Sequence, residues 1–317
     1  MTGEAAATAA ALPRIRVFAR LRRRFAAAPW AATAEMAARL GYVARGVVYL
    51  SIGAIALLAA IGLAPHPHGA IGALKAWARW PLGVVLLWLT GLGLYGFAGW
   101  RALQAVFDAD NQGSGPKALA SRLGQALSGV IYGSLAVSIF GIIDTLHDLR
   151  HAELEKTSER VAKVMTWPLG PKLVILLGLF ILACGVGNAV RAIFDNFGST
   201  LKCQPKVTSW ACWLARVGYF GRGLAMLPVG FFMLRAGWHE RAAEARGVGS
   251  ALGALHAQTF GDAVLALVAL GVVAFGVFAF VEAWYRPIRP EAALRQGEAP
   301  GAIEKDRAPR SSAHRTV

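Results

Sequence analysis

Six stretches of this chain, near residues 42–63, 81–105, 125–145, 171–193, 213–234 and 260–284, are almost unbroken apolar runs. An α-helix needs about 20 such residues to cross the ~30 Å hydrocarbon core of a bilayer. In that core a helix is favoured because it satisfies its own backbone hydrogen bonds. The runs therefore predict an all-α, polytopic membrane protein with six transmembrane helices. Composition agrees. Of the 317 residues, 56% are hydrophobic and only 16% are charged, whereas a soluble domain carries roughly 25% charged residues.

The formal net charge of +15 is not read as a nucleic-acid footprint, because the basic residues sit mainly in tails and loops beside the apolar runs. That placement suits anionic lipid headgroups and topology signalling. With both termini on one side, 21 lysines and arginines fall on that side and 10 on the other. The positive-inside rule then puts the N- and C-termini in the cytoplasm of a bacterial inner membrane. Residues 14–25 place Ile15, Phe18, Leu21 and Phe25 on one stripe among arginines. This fits either an interfacial amphipathic helix or a disordered basic tail. Arg22-Arg23-Arg24-Phe25 lacks the apolar stretch of a twin-arginine export signal. Cys184, Cys203 and Cys212 show no paired or zinc-type spacing and are read as free thiols.

The apolar runs come in pairs. "RLGYVARGVVY" (39–49) is matched by "RLGQALSGVIY" (122–132) and "RVGYFGRGLAM" (216–226). Arg39, Arg122 and Arg216 correspond, as do Gly41, Gly124 and Gly218, and Gly46, Gly129 and Gly223. The second run of each pair repeats too. "WPLG" at 80–83 and 167–170 is echoed weakly by "TFGD" at 259–262, and "ALQAVFD" (102–108) by "AVRAIFD" (189–195) and "FVEAWYR" (280–286). The expected organisation is a basic N-terminal segment (1–34), membrane repeats at 35–110, 111–197 and 198–287, and a disordered tail (288–317). Each repeat holds two spans, so all three begin on the same side, and a pseudo-threefold arrangement is expected.

The thrice-repeated R-x-G-Y-x-x-R-G-x-x-Y opening of a two-helix unit resembles a bacterial inner-membrane family of unknown function. The resemblance covers residues 35–287, with departures at Gln125, Ser128 and Met226. It implies fold and location and supplies no catalytic residues.

Chemistry is sparse. "GLGLYG" (91–96) has dinucleotide-loop spacing but lies within a span, with no preceding strand. Gly129-x-x-x-Gly133 and the motif glycines (Gly41, Gly46, Gly124, Gly218, Gly223) are read as helix-packing positions. Asp262 is expected to cap its helix, and Asn188 to bond between helices or line a polar path. Six histidines fall on the far side, two per repeat: His66 and His68, His147 and His151, His239 and His256. They are read as solvated loop residues, with a zinc or copper site the weaker alternative. No set of groups supports an enzyme, and no cofactor is expected.

Arg45 and Arg222, alike in the first and third repeats, lie within apolar runs, where a lone charge is costly. Snorkelling to the headgroups is one resolution. Ion pairing is the other, with acids at the ends of the even spans: Asp108, Asp195 and Glu282. Matching each arginine to the next repeat predicts Arg45–Asp195 and Arg222–Asp108. Pairing Arg222 with Glu282 inside its own repeat is the alternative. The sequence thus supports a membrane binding or scaffold protein, with the bilayer as its evident partner. A small-solute or ion path along the repeat axis, and metal handling, are the rivals.

Overall fold

The computed structural model describes residues 31–107, 115–144, 154–195, 197–200, 205–286 and 288. Among these, leaving aside the single turn Phe197–Thr200, nine α-helices carry the fold: α1 (Ala31–Ala60), α2 (Ala70–Lys75), α3 (Pro81–Phe107), α4 (Pro116–Asp144), α5 (Leu154–Met165), α6 (Gly170–Phe194), α7 (Pro205–Trp238), α8 (Val248–His256) and α9 (Gly261–Tyr285). Six of them, α1, α3, α4, α6, α7 and α9, are long and apolar enough to span a membrane, with mean hydropathies from 1.4 to 2.9. The chain is a multi-pass membrane protein of three tandem two-helix repeats. The stretch read as an amphipathic helix (14–25) lies outside the described residues.

The first helix of each repeat starts earlier than the apolar run alone implies. Helix α1 begins at Ala31, α4 at Pro116 and α7 at Pro205. A hydropathy window detects only the part of a helix that needs hydrocarbon. These helices continue into polar segments that carry Arg39, Arg122 and Arg216.

Short helices α2, α5 and α8 precede the second span of each repeat. That span is entered at Gly83, Gly170 and Gly261, where a Cβ would collide with the carbonyl oxygens of Trp77, Val164 and His256 respectively. This shared geometry corrects the alignment of the third repeat. Gly261 is the counterpart of Gly83 and Gly170, so Gln258–Gly261 matches "WPLG", one residue earlier than "TFGD". Asp262 does not cap α9 either. The position before the helix is Phe260, in the left-handed region at φ 64° with no side-chain cap, and Asp262 pairs with His256 instead at 2.7 Å.

The described residues group into two compact units. Within 36–101 and 127–287, glycines bring helices into backbone contact. A Cβ on Gly41 would stand 2.5 Å from Phe97 Cβ, joining α1 to α3, and one on Gly46 would stand 2.9 Å from the Gly276 carbonyl, joining α1 to α9. One on Gly218 would stand 2.7 Å from Phe275 Cα (α7 to α9), and one on Gly223 2.7 Å from the Gly185 carbonyl (α7 to α6). Without a hydrophobic drive between helices in lipid, such close approach is what associates them. Gly133 makes only ordinary contact, 3.7 Å from Ala98, and Gly124 has nothing within 4 Å, so the packing role expected of Gly124 is not realised. Its counterparts Gly41 and Gly218 both meet a phenylalanine; the corresponding residue in α6 is Cys184.

Large apolar side chains on the outside, among them Leu82, Leu86, Leu89, Leu173, Leu176 and Leu267, are exposed as lipid-facing residues should be. Trp80, Trp167, Trp238 and Trp284 stand exposed at helix ends, where indole rings favour the membrane interface.

In the smaller unit, which includes 102–126, Arg122 donates from Nε to the Ala105 carbonyl at 2.8 Å and from Nη2 to that of Val106 at 3.0 Å. In the larger unit Arg39 does the same for the counterpart pair, donating from Nη1 to Ala283 at 2.6 Å and to Trp284 at 3.1 Å. The first motif arginine of a repeat thus satisfies orphan carbonyls at the C-terminal end of the preceding repeat's second helix. Arg216, in the third repeat, is exposed.

Candidate functional site

A buried layer of arginines and aromatic rings occupies the C-terminal halves of the second-span helices, from Phe97 and Phe275, each ten residues before its helix end, to Glu282 in the last turn of α9. At its centre is Arg45, only 2% exposed. Its Cα–Cβ bond tilts toward the start of α1, as in every helix. The long side chain therefore reaches back past its own turn to the last turn of antiparallel α9. There Nη2 donates to Glu282 Oε2 in a buried ion pair. The other carboxylate oxygen, Oε1, accepts from Arg286 Nη1 at 2.9 Å. Three rings surround the guanidinium, with centroids 5.2 Å (Tyr42), 5.3 Å (Phe97) and 4.8 Å (Phe275) away. Each face of an aromatic ring carries partial negative charge that a nearby cation exploits.

This overturns the expected Arg45–Asp195 bridge. Asp195 stays within its own helix end, accepting from Arg191 Nε at 2.8 Å, and both side chains are about half exposed. Arg45 belongs instead to the preceding repeat in cyclic order, because glycine packing sets α1 against α9. Asp108 lies outside the described residues. Glu282 does not neutralise Arg222; both its oxygens are taken by Arg45 and Arg286.

Arg222 occupies the place of Arg45 in the third repeat and is only partly accessible. Its guanidinium stands over Phe275 at 4.7 Å and Tyr49 at 5.4 Å. Its Nε is buried with no hydrogen-bond partner, and among the described residues no ion pair reaches it. Arg45 and Arg222 contact the same Phe275 ring, so two like charges share a space smaller than the ~10 Å Debye length of 0.1 M salt.

The pseudo-symmetry makes the layer legible position by position. The motif-final residues are Tyr49, Tyr132 and Met226. Tyr132 donates its hydroxyl to that of Tyr49 at 3.1 Å, and Met226 Sδ accepts from Asn188 Nδ2 at 3.5 Å. The two tyrosines are repeat-equivalent, so the same motif position meets itself across two repeats. The ring clamping each arginine is Phe97 in the first repeat and Phe275 in the third. The residue in line with Glu282 is Gln104 in the first repeat and Arg191 in the second. Arg191 stacks over Tyr219 at 5.1 Å, and Arg101 over Phe97 at 4.9 Å. The hydroxyl pair and the phenylalanine clamps escaped the sequence reading. The signal was present in the motif's own tyrosines, which recur at the offset of the repeat.

Among the described residues the histidines do not converge on a common centre. His66 is exposed and His68 half-buried. His239 Nδ1 lies 2.9 Å from Glu244 Oε2, which also accepts from Arg235 Nε at 2.9 Å. His256 Nε2 meets Asp262 at 2.7 Å. His147 and His151 lie outside the described residues. Among the described residues no three histidine, cysteine or acidic side chains come together as a metal site. The hydrogen bond from His239, then those and the charge of Arg235, hold the Glu244 carboxyl below the usual carboxylate range.

Comparison with known proteins follows the repeats. A family described as a domain of unknown function, DUF1206, matches three times, at residues 40–108, 123–195 and 217–286. An uncharacterized protein of Bacillus subtilis (strain 168), YxxB, is 28% identical over 253 residues, covering 78% of this chain and 90% of the relative. No solved structure matches.

Proposed function

The chain belongs to the DUF1206 family, and from that premise we propose that it is a non-enzymatic binding scaffold of the bacterial inner membrane, with both termini in the cytoplasm. The observation that carries this reading is the placement of its buried charge. Arg45, Glu282 and Arg286, with Arg222 sharing the Phe275 ring with Arg45, gather in the C-terminal half of α9. The remaining length of the bundle is apolar and drawn together by glycines. The polar exceptions there are small. Ser51, for example, is buried and returns its hydroxyl to the Val47 carbonyl of its own helix at 2.9 Å.

A conducting path places polar groups along its length, and transporters of the usual design build their sites from broken helices. A single cationic layer at one face suits holding an anionic partner there. The excess of lysine and arginine on the same side as the layer supports the orientation.

The test is flux. Vesicles reconstituted with the purified full-length chain are expected to pass ions and small solutes no faster than protein-free vesicles. A protein-dependent flux lost on substituting Arg222 would replace the scaffold with a conduit along the repeat axis.

A further inference from the structure

We propose that Arg222 holds an exogenous oxyanion of the phosphate class, in the place that a carboxylate fills for Arg45. This rests on reading the protein as a binding scaffold and names what the scaffold binds.

The two arginines are pseudo-symmetric copies in similar aromatic settings, and both touch Phe275. They differ in their counter-charge. Arg45 finds Glu282 on the second helix of the preceding repeat. For Arg222 the preceding repeat is the second, and its residue in line with Glu282 is Arg191. That side chain is already engaged by Asp195 at 2.8 Å and lies over Tyr219. The fold has thus kept the cation and replaced the anion with a second cation. Helix α6, which bears Arg191 and Asn188, is held tightly against α7 by Gly185 and Gly223, so the change cannot be absorbed by separating the helices.

A guanidinium carries five donors. Arg222 meets no hydrogen-bond acceptor among the described residues, and its Nε is closed off. Rings stabilise the charge, but they do not accept those hydrogen bonds well. The rest of the side chain is still partly accessible, so a ligand can reach the outer edge of the fork. That edge matches the geometry of a phosphate or carboxylate. Phe275, over which Arg222 stands, lies ten residues before the end of α9, so a lipid phosphate or a dissolved anion would enter from that end of the helices to reach it. A lipid headgroup and free phosphate share the chemistry, and the experiment separates them.

The full-length protein is delipidated in neutral detergent and its thermal unfolding followed by tryptophan fluorescence. Three additions are made at matched ionic strength: inorganic phosphate, short-chain phosphatidylglycerol, and short-chain phosphatidylcholine, with sodium chloride as reference. The expected result is a saturable rise in Tm of about 5 °C at roughly a hundred times Kd. A rise with phosphatidylglycerol alone identifies a lipid headgroup; a rise with inorganic phosphate identifies the free anion. Arg222→Gln should abolish the response. Arg191→Glu, which restores an acid in line with Glu282, should raise the ligand-free Tm and also abolish the response, so the proposal stays testable if Arg222→Gln does not fold. It is overturned if no addition exceeds chloride, if phosphatidylcholine does as well as phosphatidylglycerol while phosphate is silent, or if Arg191→Glu responds like the parent. Flux through vesicles is a separate readout, so failure of the scaffold reading and failure of this binding site are distinguishable.

Discussion

Arg45 and Glu282 join the first span of the chain to the last through a buried ion pair, with Arg286 on the second carboxylate oxygen. One acid therefore serves two cations, and the three members of the set are not equivalent. Removing Arg45 leaves Glu282 paired with Arg286. Removing the carboxylate leaves the buried Arg45 guanidinium without its acid and takes an acceptor from Arg286.

The first prediction follows from that asymmetry. Breaking a buried pair by deleting one partner costs about 3–5 kcal/mol, whereas replacing both can be near neutral. Glu282→Gln should destabilise the protein more than Arg45→Gln, and the double variant should lose less than the two single losses combined. Unfolding in mixed micelles measures all three. Equal single effects, or a double variant additive within about 0.5 kcal/mol, would remove the pair from its structural role.

A second prediction contrasts two glycines. A Cβ on Gly221 would run into the backbone of Gly271 across the α7–α9 contact, while one on Gly124 meets nothing within 4 Å. Alanine is favoured over glycine inside a helix by about 0.5–1 kcal/mol. Gly124→Ala should therefore be neutral or stabilising, and Gly221→Ala should destabilise by about 1–3 kcal/mol through forced separation of the helices. Thermal unfolding of the two variants side by side checks this; a destabilised Gly124→Ala would mean that α4 packs there after all.

These two cases mark what the sequence could carry. Apolar length fixes the number of spans, and the three motif copies reveal the repeat, because both are properties of the chain itself. The motif glycines were legible as close-approach positions, although Gly124 looks identical on paper to Gly41 and Gly218. What differs is the neighbour: Gly41 and Gly218 meet the backbone of Phe97 and Phe275, while a Cβ at Gly124 meets nothing within 4 Å. The partner of Arg45 was not legible. Matching charges across repeats favoured Asp195, but counting cannot say which neighbour lies beside α1. Glycine contact with α9, and the backward lean of a helical arginine, decide for Glu282. Asp195 is drawn to Arg191 one turn away, a local contact that competes with any distant one.

The loop after α7 yields a pH prediction. Glu244 is held below its usual range, first by His239 and then by Arg235. A depressed acid contributes stability that is present above its unfolded value and lost as pH falls through its folded value. The connection from His239 to Arg246 should thus be protected at neutral pH and loosen below about pH 4, under the ordinary carboxylate range. Hydrogen exchange across this segment is the measurement. Glu244→Gln should expose it already at pH 7 and flatten the acid response.

Topology can be read directly. A reporter joined after Arg295 should be cytoplasmic, and one placed near Glu155 should lie on the opposite face, given the lysine and arginine asymmetry. The reverse pattern would put the arginine layer at the outer face and remove the cytoplasmic reading with it.

The last prediction tests the pseudo-symmetry through its first arginine. Arg39 binds the carbonyls of Ala283 and Trp284, and Arg122 binds their counterparts, Ala105 and Val106. Arg216 is equivalent in sequence but exposed. A carbonyl left without a donor at a partly buried helix end costs about 1–3 kcal/mol. Arg39→Ala and Arg122→Ala should each lose stability on that scale. Arg216→Ala should stay within about 0.5 kcal/mol, as surface substitutions do. Lysine at position 39 should recover only part of the loss, because one ammonium is a poorer match than a planar fork to two carbonyls at once. If all three alanine variants lost the same amount, the third repeat would be making the contact as well, and the departure from threefold symmetry at Arg216 would be absent in the folded protein.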